Sequence, residues 1–252
     1  MSKTIVITGA GTGIGRATAQ TLAGEGYPLI LLGRNVSNLE ETRKSLPSTE
    51  NHKIHSCDIR HPEDIRKALK DSRVDSLYAV IANAGLGGEN HYEEKDRWQE
   101  VIDTNLTGSY YTVRECLPLL KKNNADYKKI LFVSSILARF GVPGYSSYCD
   151  SKAWLLGLML SLASELTEDK ILVNALCPGW VNTAMAHEGL QGFANALSIS
   201  KEEAYQKAMS EVPLGKMSEP EEIAKFICFL ISDAQSSITA QTFDINNGAM
   251  MP

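Results

Sequence analysis

Tyr148 and Lys152 stand four residues apart in Tyr148-Cys149-Asp150-Ser151-Lys152. They open a stretch whose Trp154, Leu155, Leu158, Met159 and Leu162 form an apolar face at helical spacing. Residues four apart share one side of a helix, so the phenol and the ammonium project together. A free tyrosine titrates near pH ~10 and is a poor acid–base group at neutrality. A nearby cation favours the phenolate and lowers that value. A tyrosine tuned this way gives a proton to a carbonyl oxygen or takes one from an alcohol. The pair is common on helices, so its chemistry depends on what the rest of the chain brings to it. Cys149 points about 100° away on such a helix and reads as packing.

The positioning elements begin at Lys3 to Ile7, a short β-branched run followed by Gly9, Gly11, Gly13 and Gly15. Ile14, Thr18 and Leu22 then continue at helical spacing. Strand, glycine turn and helix in this order let the backbone approach a ligand closely. The helix N-terminus offers free N–H groups to a phosphate. The spacing, Thr8-Gly9-x-Gly11-x-Gly13-Ile14-Gly15, is related to G-x-G-x-x-G but distinct from it. Leu29 to Leu32 is a second strand ending at Gly33-Arg34-Asn35. An acidic side chain at this point would hold the ribose of NAD, and an arginine the 2′-phosphate of NADP. Arg34 therefore favours NADP(H) over NAD(H), and Thr12 in the turn adds no second cation.

Val36 to Leu46 reads as a helix and Lys53 to Cys57 as a third strand, ending at Asp58-Ile59. Asp58 has two readings. Its carboxylate accepts from an adenine amino group with Ile59 packed on the ring, or it caps the turn before Pro62 opens the next helix. Ser76 to Ile81 is a fourth strand, ending at Ala82-Asn83-Ala84-Gly85, where small residues suit a backbone lying against a cofactor. A polar loop, Gly87 to Asp96, leads into a long helix through Trp98, Val101, Tyr110, Val113 and Leu117. Asn105 lies inside that helix, where an amide competes for backbone groups. It marks a local break or a bound water, or it faces solvent. Lys129 to Val133 is a fifth strand ending at Ser134-Ser135, and a Ser135 hydroxyl there can stabilise charge developing on a carbonyl oxygen. The loop from Leu137 to Ser147 would line a substrate site.

Ile171 to Leu176 is a sixth strand, followed by Cys177-Pro178-Gly179-Trp180-Val181-Asn182-Thr183. Residues 184–212 form the least regular region, with a helical stretch around Lys201 to Met209, and read as a mobile cover over the site. Glu219 to Glu222 opens a further helix, and Thr239 to Ile245 is the last strand. Alternating strands and helices imply a Rossmann-type, doubly wound α/β fold: a parallel seven-stranded sheet with helices on both faces. Residues 1–252 read as a single dinucleotide-binding and catalytic domain. Leu137, Gly144, Trp180, Met185 and Phe193 are the expected substrate-pocket residues.

Composition narrows the partners. The 252 residues carry a net charge of −5 with no basic block, against nucleic acid or an anionic membrane surface. No apolar run reaches the ~20 residues of a membrane span. The chain begins a strand at once, leaving no room for a signal peptide. Five scattered cysteines, none in a CxxC pair, suggest a reducing, cytoplasmic compartment, with no metal site and no disulfide framework.

Thr8-Gly9-Ala10-Gly11-Thr12-Gly13-Ile14-Gly15, Asn83-Ala84-Gly85, Asn105, Ser135, Tyr148-x-x-x-Lys152 and Pro178-Gly179, in this order, resemble the short-chain dehydrogenase/reductase family across essentially the whole chain. One departure is Ala82, where the family often has a second asparagine before Asn83. The resemblance implies that Ser135 polarises the carbonyl and that Tyr148 is the acid in reduction and the base in oxidation. It implies that Lys152 lowers the tyrosine pKa and holds the nicotinamide ribose, while Asn105 retains a proton-relaying water. Val181 and Thr183 would hold the carboxamide. The C-terminal part, from Val212 through Gly248, looks like the 3-oxoacyl-thioester and polyketide ketoreductase branch. Family members commonly form homotetramers through the Asn105 and Tyr148 helices and the last strand. The implied function is an NADP(H)-dependent reductase of a ketone, a 3-oxoacyl thioester among the candidates. The competing readings are an NAD-dependent alcohol or hydroxy-acid dehydrogenase, and a non-catalytic nucleotide-binding protein of the same fold.

Overall fold

The computed structural model describes residues 3–92 and 96–251. Met1 and Ser2 at the start, residues 93–95 of the polar loop and Pro252 of the tail lie outside the described residues. The elements run β1 (Ile5–Thr8), α1 (Gly13–Gly24), β2 (Leu29–Gly33), α2 (Val36–Lys44), β3 (Lys53–Ser56), α3 (Pro62–Ser72), β4 (Ala79–Ala82) and α4 (Trp98–Ile102). They continue with α5 (Gly108–Lys121), β5 (Lys128–Val133), α6 (Ser146–Glu165), β6 (Ile171–Pro178), α7 (Ala184–Leu197), α8 (Lys201–Ser210), α9 (Pro220–Ile231) and β7 (Thr242–Ile245).

The strands form one parallel sheet in the order β3-β2-β1-β4-β5-β6-β7. The winding reverses between β1 and β4, and ligands bind such sheets at the carboxyl ends beside that reversal. Successive residues of a strand point to opposite faces. Val6, Ile30, Val80, Ile130 and Phe132 therefore share one core with Ile65, Cys116, Leu155 and Met159 from α3, α5 and α6. Ile5, Ile7, Leu29, Leu31 and Ile81 share the other with Leu22 of α1 and Ile223 and Ile227 of α9. Both faces are covered, which is why these strands read as unbroken apolar runs.

Local chemistry sets the element ends. Pro62 opens α3 with Glu63 and Asp64 in its first turn, and Arg73 at φ +52° ends it. The expected long helix is α4 and α5 joined by a π-helical turn over Asp103–Thr107, with Asn105 at its centre and fully buried. Asn105 thus marks a break, and the solvent-facing reading does not hold. The last strand starts at Thr242, not Thr239, because Ala240 takes φ +57° and interrupts the extended chain.

Two other expectations are corrected. Residues 184–212, expected to be the least regular region with one helical stretch around Lys201 to Met209, contain that helix as α8 and a second one, α7; the small core here is Ala186, Leu190, Met209, Val212 and Met217. On α6, Leu155, Met159 and Leu162 are buried, while Trp154 is 50% exposed and so lies off the packed face. No helix among the described residues is long and apolar enough to cross a membrane.

Candidate active site

The glycine turn between β1 and α1 is held bare by its own packing. Gly9 takes φ +66°, and a Cβ there would lie 2.9 Å from both the Ala84 Cα and the Asn83 Nδ2. A Cβ on Gly15 would lie 2.2 Å from the Gly9 carbonyl oxygen. Asn83 explains the crowding: its Nδ2 donates to the Thr8 carbonyl at 2.9 Å, so its side chain fills the space under the turn. Thr12, at the N-cap of α1, makes no capping bond, so the first-turn N–H groups stay available to a ligand. Arg16, unremarked in the sequence, braces the turn through Nε to the Gly11 carbonyl at 3.0 Å and to the Thr42 hydroxyl at 3.1 Å. A bare turn, a free helix N-terminus and a following Gly85 fit the diphosphate and nicotinamide ends of a dinucleotide. At Gly85 a Cβ would stand 3.3 Å from Lys152 Nζ and 3.2 Å from Asn105 Oδ1, intruding on the space beside the ammonium.

The residues expected to be catalytic meet at the carboxyl ends of β4, β5 and β6. Ser135 follows β5, and its hydroxyl hydrogen-bonds the Tyr148 phenol. Ser135 Oγ also accepts from the Leu137 N–H at 3.1 Å, which fixes its rotamer. Lys152 Nζ lies 5.8 Å from the Tyr148 ring centre and donates to the Val133 carbonyl at 2.9 Å. Asn105 binds the chain after Gly85 from both sides. Its Oδ1 accepts from the Leu86 N–H at 2.7 Å, and its Nδ2 donates to the Leu86 carbonyl at 2.9 Å. Nδ2 also donates to the Ser151 hydroxyl at 3.0 Å, tying the π turn to α6.

The profile of the family described as Enoyl-(Acyl carrier protein) reductase matches residues 9–250. A 3-oxoacyl-(acyl-carrier-protein) reductase of Rickettsia felis is 34% identical over 99% of this chain and 97% of its own length. A putative ketoacyl reductase of the monensin polyketide synthase of Streptomyces virginiae is 32% identical over 98% of this chain and 97% of its own. A crystal structure of a variant actinorhodin polyketide ketoreductase with NADPH superposes with a TM-score of 0.92 at 29% identity, covering 98% of this chain and 97% of that one. The chain belongs to the short-chain dehydrogenase/reductase family. It is an oxidoreductase that moves hydride between a nicotinamide cofactor and a carbonyl carbon.

This dehydrogenase/reductase departs from one electrostatic expectation. Tyr148 is not lowered by Lys152: burial pushes its phenol up to about 12, against the opposing Ser135 hydrogen bond. Burial also pushes Lys152 down, to about 8. Desolvation disfavours each charged form and is the largest cause at both positions. The tyrosine is therefore a loaded acid at neutral pH.

The cofactor-facing residues are placed as follows. Arg34 is exposed at the end of β2, and its guanidinium makes no hydrogen bond or ion pair among the described residues. Asp58 makes the turn, Oδ1 accepting from the Arg60 N–H at 3.1 Å. Ile59, expected against the adenine ring, is 5% exposed and packs against the start of α5, where a Gly108 Cβ would meet its Cγ1 at 2.7 Å. Gly179, after Pro178, backs onto Asn246, 2.9 Å from a built Cβ. Val181 is 5% exposed and pairs with Ser218. The Thr183 hydroxyl caps α7 by accepting from the Ala186 N–H at 3.3 Å, and its methyl group would meet a Gly13 Cβ at 3.0 Å.

A cavity of about 280 Å³ lies between the loop after β4, the start of α6 and α7. Met185 lines it, and Gly144 approaches its rim, where a Cβ would stand 3.8 Å from Glu89 Cγ. Trp180 packs behind the lining residue Gly189. Leu137 and Phe193 are not among its walls. The sequence reading missed Tyr145, Glu89 and Glu188, which do line it. Tyr145 lies three residues before Tyr148, and that spacing was the available signal.

Two outcomes follow. Gly15→Ala drives a methyl group into the Gly9 carbonyl, so it destabilises the fold by more than about 1 kcal/mol and abolishes dinucleotide binding; thermal melting and calorimetry read the two effects. With the expected roles, reduction would need the Tyr148 proton and the Lys152 charge, and rising pH removes the Lys152 proton first. kcat/KM for ketone reduction should therefore fall as pH rises through about 8. A profile flat from about pH 6 to about pH 10 would contradict this assignment of the lysine.

Proposed function

We propose that this enzyme is an NADP(H)-dependent ketoreductase in which Ser135, Tyr148 and Lys152 act on the substrate oxygen. The Ser135–Tyr148 hydrogen bond beside the buried Lys152 carries the reading. When bound, the dinucleotide supplies hydride in reduction and accepts it in oxidation. The Ser135 hydroxyl and the Tyr148 phenol converge on one carbonyl oxygen, and Tyr148 protonates it as negative charge develops. Lys152 stabilises the resulting phenolate and holds the ribose hydroxyls. Asn105 keeps a relay water through its carbonyl, whose other lone pair takes the Ser109 hydroxyl at 2.7 Å.

Gly9, Gly11, Thr12, Gly13, Ile14 and Gly15 cradle the diphosphate. Asn83, Ala84 and Gly85 flank the adenosine ribose and nicotinamide, with Asn83 acting through the turn it supports. Pro178, Gly179, Val181 and Thr183 close over the carboxamide. Arg34, uncommitted among the described residues, holds the 2′-phosphate and sets the preference for NADP(H) over NAD(H); the NADPH of the actinorhodin ketoreductase structure supports this. The substrate is a ketone, and the names of the two curated relatives favour a 3-oxoacyl thioester. A cavity of about 280 Å³ suits a compact acyl end, being near the lower limit of typical sites.

The separate core of α7 and α8 supports their movement as a unit covering the site. We place the enzyme in the reducing cytoplasm, as a homotetramer assembled through α5, α6 and β7. On α5 and α6, Tyr110 (41%), Trp154 (50%) and Leu160 (53%) are exposed. Light scattering should return four chains per particle, and a monomer would rule the assembly out.

The central test mixes the purified protein with a ketone panel that includes a 3-oxoacyl thioester and follows NADPH and NADH absorbance in parallel. Tyr148→Phe should lower turnover by about 10²–10⁴-fold. Arg34→Ala should weaken NADPH about tenfold and leave NADH unchanged, as expected for loss of one charge-assisted contact. Faster turnover with NADH in the wild type would overturn the cofactor preference, and turnover surviving in Tyr148→Phe would overturn the mechanism.

A further inference from the structure

We propose that Arg60 is a positioning residue for the adenine end of the cofactor, holding the Asp58 carboxylate where it accepts the adenine 6-amino group. This rests on the reading of Asp58 as the adenine acceptor. Asp58 is well placed for that role. β3 pairs with β2 through Ser56 and Gly33, the Cys57 N–H donates to the Gly33 carbonyl at 3.0 Å, and the Ser56 hydroxyl donates to the Arg34 carbonyl at 3.4 Å. The turn bearing Asp58 is thus laced to the strand end that carries Arg34.

Arg60 grips that carboxylate with backbone and side chain together. Its N–H donates to Oδ1 at 3.1 Å, its Nε to Oδ1 at 2.9 Å and to Oδ2 at 3.0 Å, and its terminal nitrogen to Oδ2 at 2.5 Å. A planar fork on a carboxylate fixes its plane, which a single ammonium does not. These are four contacts, two on each oxygen with Nε shared between them, so an adenine amino group would take the place of one Nε contact while the backbone and terminal N–H bonds hold the carboxylate. The Asp58 N–H is itself held by Asp64 Oδ2 at 3.1 Å, which leaves the carboxylate little freedom to turn.

Arg60 also balances charge. Besides Asp58, the acids facing it are Glu100 of α4 and Asp103 of the π turn. Glu100 already pairs with Arg97 at 3.1 Å, and Asp103 accepts from Gln99 at 2.7 Å. Without Arg60, these acids would meet an anionic dinucleotide with less compensation. Arg34 is the other cation whose field reaches Asp58.

The test is equilibrium binding to the whole enzyme by calorimetry. The probes are NADPH and its hypoxanthine analogue, in which oxygen replaces the 6-amino group. Wild type should favour NADPH by about tenfold, because the analogue turns an acceptor toward a carboxylate. Arg60→Gln should reduce that ratio to about twofold or less, since the carboxylate is then free to rotate. Arg60→Lys keeps the charge without the fork and should give an intermediate ratio. It also carries the test if Arg60→Gln fails to fold. A merely structural role would weaken both ligands equally, so an unchanged ratio in the variants overturns the proposal whatever happens to absolute affinity. Equal binding of both ligands to the wild type would remove the Asp58 reading, and failure to bind NADPH would remove the cofactor reading itself.

Discussion

The functional edge of this sheet depends on the lock between Thr8 and the end of β4. The Thr8 hydroxyl accepts from the N–H groups of Asn83 and Ala84, each at 3.0 Å, and Asn83 returns its amide to the Thr8 carbonyl. Two strands that are adjacent in the sheet but 71 residues apart from Thr8 to Ala79 are thereby joined just past their carboxyl ends. The lock sets the glycines. With the Asn83 amide beneath the turn, neither Gly9 nor Gly15 has room for a side chain. The surface offered to a diphosphate is shaped by protein packing before any ligand arrives, and such preorganisation lowers the cost of binding.

A second tie sets the chemistry. Asn105 holds Leu86 by both ends of its amide and reaches Ser151 on α6. One buried side chain therefore fixes the chain after Gly85, the π turn and the helix that carries Tyr148 and Lys152. Helical turns of this kind are energetically poor and recur at functional sites, where they re-aim groups. The same burial works in opposite senses on the two titrating residues. It keeps the phenol protonated and pulls the ammonium toward neutrality. A tyrosine in that state is prepared to give a proton, which matches carbonyl reduction.

The sheet was legible because strands buried on both faces must be continuously apolar, and Leu29 to Leu32 or Ile130 to Val133 have no other explanation. The glycine turn and Ser135 were legible because each lies just past a strand end, and Tyr148 and Lys152 because they stand four apart near the start of one helix. Asn105 announced the π turn by being a poor helix residue in a helix. Other features had no local signal. α7 was obscured by Gly189 and Gly192, which look like breakers; in the fold Trp180 packs beside the first, while a Cβ on the second would lie 3.0 Å from Glu89 Oε1. Ala240 gives no hint of its left-handed backbone. The rise in the Tyr148 pKa was hidden because spacing shows the neighbouring cation and not the depth of burial.

The two ends of the site solve their electrostatics differently. At the end of the site proposed for the adenosine, charges remain near solvent, with Arg60 paired to Asp58 and Arg34 unpaired among the described residues. Each such contact is modest in water, so recognition there is a matter of geometry and of which cation stays uncommitted. Around Tyr148 and Lys152 the groups are taken out of water, and desolvation is the main cause that keeps the phenol protonated and lowers the ammonium's pKa. On the proposed reading, the first arrangement would discriminate between cofactors without changing the chemistry, and the second would perform the chemistry whichever cofactor is bound. On the proposed reading, substrate choice would fall to a third region, α7 and α8 with their own small core. Because that core is separate from both faces of the sheet, its residues can vary without disturbing either end, which is how one reductase scaffold can accept different ketones.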